Sequence, residues 1–153
     1  MEEGAIVYIV PNEEEASRQE IAEYQSIIGS EMYAMILTRP DIAFTLSVLS
    51  RHLTNPSKQH IKAAKRVLRY LQGTIYLGIV YRGATPGVEE IRFHGYSDAS
   101  YANCRATLRS TSGYVFFLAG GVVSHQSKRQ SIVTQSSTEA EFYGLAKAGM
   151  EAL

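Results

Sequence analysis

A single cysteine, Cys104, occurs among the 153 residues. This excludes an intrachain disulfide framework and a cysteine-rich zinc site, and it fits a reducing, intracellular setting. Long apolar runs are missing, so no membrane-spanning helix is expected. No secretory signal is expected either, since the chain opens with the acidic Met1-Glu2-Glu3 where such a signal is basic. The expected location is the cytoplasm or nucleus. Acidic residues are absent from one long stretch: residues 42–88 hold seven bases and no acid, whereas residues 1–41 hold nine acids against Arg18 and Arg39. The formal net charge is zero, an average that hides this segregation. A basic middle offers a surface to a polyanion. The alternative is that the acidic and basic parts pack on each other.

What is present is ordinary globular material, 45% hydrophobic and 20% charged, enough for one domain or a small domain with an appendage. Residues 5–10 read as a short β-type run closed by Pro11. Asn12 then reads as a helix N-cap, with Glu13, Glu14 and Glu15 at the positive end of the helix dipole. The helical pattern continues through Ile21, Tyr24, Ile28 and Met32 to about Leu37, with Gly29 a possible interruption. Arg39-Pro40 ends it and opens a second helix reaching about Leu53. Asn55-Pro56 repeats the device, with Asn55 as cap of a third helix that stops at Gly73. On that helix Lys58, Lys62, Lys65, Arg66 and Arg69 fall within an arc of about 100°, opposite Ile61, Ala64, Val67, Leu68 and Leu71. No acid is interleaved to neutralise the five cations. The arc therefore reads as a nucleic-acid backbone face, against the plainer reading of a solvated lysine-rich surface.

Beyond Gly73 the period changes to two. Thr74–Tyr81 and Glu90–Asp98 read as strands separated by a loop around Pro86-Gly87, and Ser112–Leu118 with Val122–Gln126 reads as a hairpin about Ala119-Gly120-Gly121. Ser136-Ser137-Thr138-Glu139 opens a last helix containing Ala140, Leu145 and Ala148, whose pattern is still running at Leu153. The fold class is α+β: helices, then a mainly antiparallel sheet, then a helix. Asp98 ends an apolar strand beside small residues, where a divalent cation could approach. Glu141 lies in the first turn of the last helix. Glu139 points about 200° away from it and reads as a capping-box or dipole residue. His52, His60, His94 and His125 lack metal-site spacing and read as structural or surface residues, and Cys104 has no base beside it. Tyr96, Tyr101, Tyr114 and Phe116 read as half-buried packing residues before base-stacking ones.

Several strings resemble, in order, the polyprotein of copia-type retrotransposons. They are residues 24–30 (YQSIIGS), 38–43 (TRPDIA), 64–74 (AKRVLRYLQGT), 95–99 (GYSDA), 109–114 (RSTSGY) and 135–141 (QSSTEAE). The resemblance covers Tyr24 to Leu153, and residues 1–23 stay unassigned. It implies a junction: residues 24–89 as the end of the reverse transcriptase region, thumb- or connection-like, and residues 90–153 as the first half of a ribonuclease H-like domain. Polymerase chemistry is not implied for this stretch, which contains no Asp-Asp pair. Ribonuclease H of this family uses four carboxylates around two magnesium ions. Asp98 matches the first and Glu141 the second, while the other two come from a later strand and helix. Ser100 stands where the family often has a second Asp, and Tyr101 where it has Trp.

The resemblance thus implies binding of RNA–DNA hybrid or duplex through Lys58, Lys62, Lys65, Arg66 and Arg69, with Arg105, Arg109, Lys128 and Arg129 extending the basic character. Magnesium is expected to bind weakly and hydrolysis to be slight, with the rest of the polyprotein as partner. A domesticated, non-catalytic binding module is the alternative. The incomplete sheet is expected to leave Val115, Phe117, Val123 and Val133 partly covered, with Thr74–Tyr81 a candidate partner for Ile91–Tyr96.

Overall fold

A computed structural model describes residues 11–82 and 92–153. The β-type run at 5–10 and the loop around Pro86-Gly87 lie outside the described residues, as does the expected boundary between residues 89 and 90. The chain divides into two compact units between Gly78 and Ile79. None of the described helices is long and apolar enough to cross a membrane.

The first unit is helical. Helix α1 spans Arg18–Leu37 and runs through Gly29 without a break. Its N-cap is Ser17, not Asn12. The Ser17 hydroxyl accepts from the Glu20 N–H, and the Glu20 carboxylate accepts from the Ser17 N–H at 3.0 Å. The Asn12 side chain instead donates to the Pro56 carbonyl at 3.2 Å. Asn55 is likewise not a cap: its amide donates to the carbonyls of Asn12 and Glu14 and accepts from the Ala16 N–H. The two asparagines tie the segment before α1 to the segment before the third helix.

The expected second helix is divided into a 3-10 turn at Pro40–Ile42, helix α2 at Ala43–Leu49 and a second 3-10 turn at Ser50–His52. Helix α3 spans Lys58–Gly73, with Ser57 as N-cap. The Ser57 N–H donates to Nδ1 of His60 at 2.9 Å, so the imidazole takes the place that Glu or Gln holds in the usual capping box.

One stripe of α1, Tyr24, Ile28 and Glu31, is buried. The first two join Ile42, Leu46, Leu49, Ala63, Ala64 and Val67 in the core. The Tyr24 hydroxyl donates to the Leu49 carbonyl at 2.8 Å and so satisfies its polar tip. Arg39 locks the turn after α1 to the end of α3. Its guanidinium donates twice to Asp41, at 3.0 and 2.7 Å, and to the carbonyl and hydroxyl of Thr74 at 3.1 and 2.7 Å. Tyr70 closes the network by donating to Asp41 at 2.8 Å.

The second unit is a three-stranded antiparallel sheet in the order β1-β2-β3, with β1 at His94–Ser100, β2 at Thr111–Leu118 and β3 at Gly121–Arg129. The hairpin turns at Ala119 and Gly120, both with positive φ (52° and 77°), the backbone a two-residue reversal requires. Residues Thr74–Tyr81 form no strand. Thr74 closes a turn with the Leu77 N–H at 3.0 Å. Tyr81 and Arg82 rest on the hairpin, Tyr81 donating to the Val122 carbonyl and Arg82 to the Ala119 carbonyl, both at 2.7 Å. This segment therefore does not pair with β1, as the period-two pattern had implied. Helix α4, Ser137–Glu151, is capped by Ser136 and lays Ala140, Gly144 and Ala148 on the sheet. The described residues are α+β, with four α-helices and three antiparallel strands.

Candidate nucleic-acid interface and carboxylate pair

All five cations predicted on α3 are exposed, and the buried line of the helix is His60, Ala63, Ala64 and Val67. The packed face is thus rotated from the expected one toward His60 and Ala63, and Leu68 is 40% exposed. The cations are not equivalent. Lys65 pairs with Glu23 of α1 at 2.7 Å, and Lys58 helps hold Glu20 below the usual carboxylate range, after the two Ser17 hydrogen bonds. The acidic α1 therefore offsets part of the basic face. Lys62 and Arg66 have no acidic partner among the described residues, and Arg69 touches only the Lys65 carbonyl, at 3.4 Å. Lys62, Arg66 and Arg69, about one turn apart along the helix, are with Lys58 the cations of α3 that form no ion pair among the described residues.

His60 is fully buried beneath this face, stacked on His52 at a ring separation of 3.9 Å. Burial, reinforced by His52, pushes its pKa down to about 4. Since Nδ1 accepts the Ser57 N–H, the neutral ring carries its proton on Nε2, which has no partner. The histidine is structural, as its spacing implied.

In the second unit the register sets Asp98 opposite Gly113 and Ala99 opposite Ser112. The Ser112 hydroxyl faces α4: a Cβ on Gly144 would lie 3.2 Å from it and 3.6 Å from the Asp98 carbonyl. Glycine at 144 lets the helix approach β1 this closely. Side chains alternate along a strand, so Ala99 shares the α4 surface and Asp98 lies on the other, with Tyr96. Glu141 sits on the flank of α4, about 60° around the helix from Gly144. Both carboxylates are exposed and unpaired among the described residues, which contain no group of three or more His, Cys, Asp or Glu able to hold a metal ion. The described donor set does not fit a two-magnesium cage.

Glu139 accepts from the Gln135 N–H at 2.7 Å while Ser136 accepts from Glu139, so its role is to secure the start of α4. Tyr96 is 67% exposed and packs edge-on to Phe117. Phe116 is buried and stacks on Phe93. Cys104 has a partner that sequence alone does not provide. Burial raises its pKa, but hydrogen bonds from Thr107 and from Arg129 (3.5 Å) outweigh that and bring it down to about 7. Gln130 and Glu31 also escape sequence reasoning. Gln130 directly follows β3, beyond the Val122–Gln126 run of the hairpin pattern, and Glu31 falls among the exposed-type acids, so only packing reveals that both are buried.

No family model matches the chain, and no solved structure does. Curated proteins do. Over 138 residues it is 42% identical to the retrovirus-related Pol polyprotein from transposon TNT 1-94 of Nicotiana tabacum, covering 90% of this chain and 10% of that protein. It is 39% identical over 129 residues to the retrovirus-related Pol polyprotein from transposon RE1 of Arabidopsis thaliana, covering 84% and 8%. With secreted RxLR effector protein 161 of Plasmopara viticola it shares 45% identity over 130 residues, covering 85% of this chain and 89% of that one. The chain thus spans about a tenth of the length of the Pol polyproteins it matches. Over most of its length the chain is similar to a short stretch of retrotransposon Pol polyproteins, which supports reading it as a polyprotein fragment.

Proposed function

We propose that the chain is the part of a copia-type polyprotein that runs from the end of reverse transcriptase into ribonuclease H, and that it grips the backbone of RNA–DNA hybrid through α3. One observation carries this reading: Lys62, Arg66 and Arg69 project from a helix whose other side is core, with no acid among the described residues to neutralise Lys62 or Arg66. Contacts of this kind attract phosphate whatever the base sequence. Asp98 and Glu141 stand where the resemblance places the first two magnesium carboxylates, but lying on different surfaces they do not form one magnesium site by themselves. Two exposed carboxylates on different surfaces compensate too little charge to hold a cation pair, so hydrolysis by this chain alone is slight.

A filter-binding assay on purified chain tests the reading. Lys62→Glu with Arg66→Glu should abolish hybrid binding at moderate salt, and unchanged binding refutes the interface. Magnesium-dependent hybrid cleavage that disappears in Asp98→Asn refutes the non-catalytic assignment. A second reading, a free-standing non-catalytic module, is favoured by the Plasmopara viticola relative, of which the chain covers 89%.

A further inference from the structure

Helix α4 is apolar on two sides. Ala140, Gly144 and Ala148 lie on the sheet. At 100° per residue, Leu145, Gly149, Phe142 and Ala146 fall within an arc of about 100° on the far side of the helix. All four are exposed, Phe142 at 67% and Leu145 at 57%, and Leu153 beyond the helix end is exposed as well. The charged residues of the helix, Glu139, Glu141, Lys147 and Glu151, all fall outside this arc. A surface helix normally turns a polar face outward, and one that is apolar all round is a buried helix. The outer side of α4 therefore has the composition of a covered one.

The two glycines of α4 differ. A Cβ on Gly144 would lie 3.2 Å from the Ser112 hydroxyl, so its absence serves the contact with the sheet, whereas a Cβ on Gly149 would meet nothing within 4 Å. Glycine inside a helix costs about 1 kcal/mol relative to alanine, and nothing among the described residues uses the room left at 149. Phe142 stands two turns before Gly149 and only about 20° away around the helix. This spacing makes the face complementary to itself. Two α4 helices laid antiparallel, about a two-fold axis between Leu145 and Ala146, set each Phe142 ring over Gly149 of the other copy and each Leu145 against Ala146. Because the arc holds no charge, the pairing brings no like charges face to face.

We propose that the outer face of α4 is the surface through which two copies of this chain associate. The patch measures on the order of 400 Å² per copy, a size at which exposed apolar surface marks an interaction site, and about half the ~800 Å² per partner of a standard interface. The dimer is therefore weak, with a Kd on the order of 100 µM. It rests on the second unit alone and does not depend on the α3 reading.

Sedimentation equilibrium of the full chain between about 10 µM and 1 mM tests this, the range that brackets such a Kd. A passage from monomer to dimer mass is expected across it. Leu145→Glu, at an exposed site, should weaken the dimer tenfold or more by setting a carboxylate into the contact. Gly149→Leu is the sharper test. It removes the helical cost of glycine and finds open space within its own chain, so the fold is retained. It also adds apolar surface, which would strengthen an undirected association, yet it fills the place of the Phe142 ring and should weaken the dimer about tenfold. Lys62→Glu on α3 should leave the equilibrium unchanged. A monomer mass at every concentration, larger species without a dimer plateau, or a Gly149→Leu dimer as tight as the parent overturns the proposal. Failure of hybrid binding leaves these masses unaffected, so the two readings fail separately.

Discussion

Glu31 is 1% exposed in the line of α1 that faces the core, and neither carboxylate oxygen has a hydrogen-bond partner among the described residues. Burial pushes its pKa up from 4.5 to about 7. Below pH 4.5 the carboxyl is protonated in both folded and unfolded chains and costs little through ionisation. Between 4.5 and about 7 the unfolded chain releases the proton while the folded one keeps it. Stability therefore falls by about 1.4 kcal/mol per pH unit, about 3 kcal/mol in all, and then levels off. This is a large share of the ~5–15 kcal/mol of a typical domain. His60 acts in the opposite sense, because its pKa is lowered from 6.5 to about 4 and stability is lost as pH falls through that window. The two slopes nearly cancel between about pH 4.5 and 6.5, so the unsubstituted chain conceals both.

Glu31→Gln removes one of them. Urea unfolding followed by the methyl signals of Ile28 and Leu46, which report the helical unit alone, should show variant and parent differing little at pH 4. At pH 8 the variant should be more stable by about 3 kcal/mol. Its own profile should then rise from pH 4 to about 6.5, exposing the His60 contribution. A stability difference that does not change between pH 4 and 8 refutes the assignment of Glu31 as a carboxyl held neutral by burial.

Arg39→Lys keeps the charge but loses the planar fork that serves Asp41 and Thr74 together. It should cost about 1–2 kcal/mol in the same urea assay, and a change within error would show that the fork is dispensable. The Cys104 thiol should alkylate with a midpoint near pH 7, and Arg129→Gln should move that midpoint upward, since a cationic donor to the sulfur is removed. An identical rate–pH profile in the variant would exclude Arg129 as the activating group.

The helix count, the hairpin and the start of α4 were legible because each carries a local signal: a 3.6-residue period, a glycine reversal, a Ser-x-x-Glu start. Asn12 and Asn55 read as caps by residue type, yet Ser17 and Ser57 cap α1 and α3. Both side chains are cap-forming types, but tertiary hydrogen bonds between the two segments take them up. The Ser17-x-x-Glu20 box was itself readable, though overshadowed by the preceding run of glutamates. Thr74–Tyr81 has strand-like alternation, but Thr74 bonds to Arg39, Tyr70 and Leu77 and Tyr81 to Val122 of the hairpin, choices that periodicity does not encode. On α3 the basic arc was visible, whereas neutralisation of Lys65 by Glu23 depends on how α1 lies across it. The burial of Glu31 and of Gln130 had no sequence signature, because both residue types are usually exposed.

The central claim is that α3 meets phosphate through Lys62, Arg66 and Arg69. Measuring the affinity for RNA–DNA hybrid over a salt series tests it most directly. Three phosphate contacts predict a slope of log affinity against log salt of about −3. That slope should fall toward about −1 in the Lys62→Glu, Arg66→Glu double variant. A slope near zero in the parent, or the same slope in both proteins, contradicts the account.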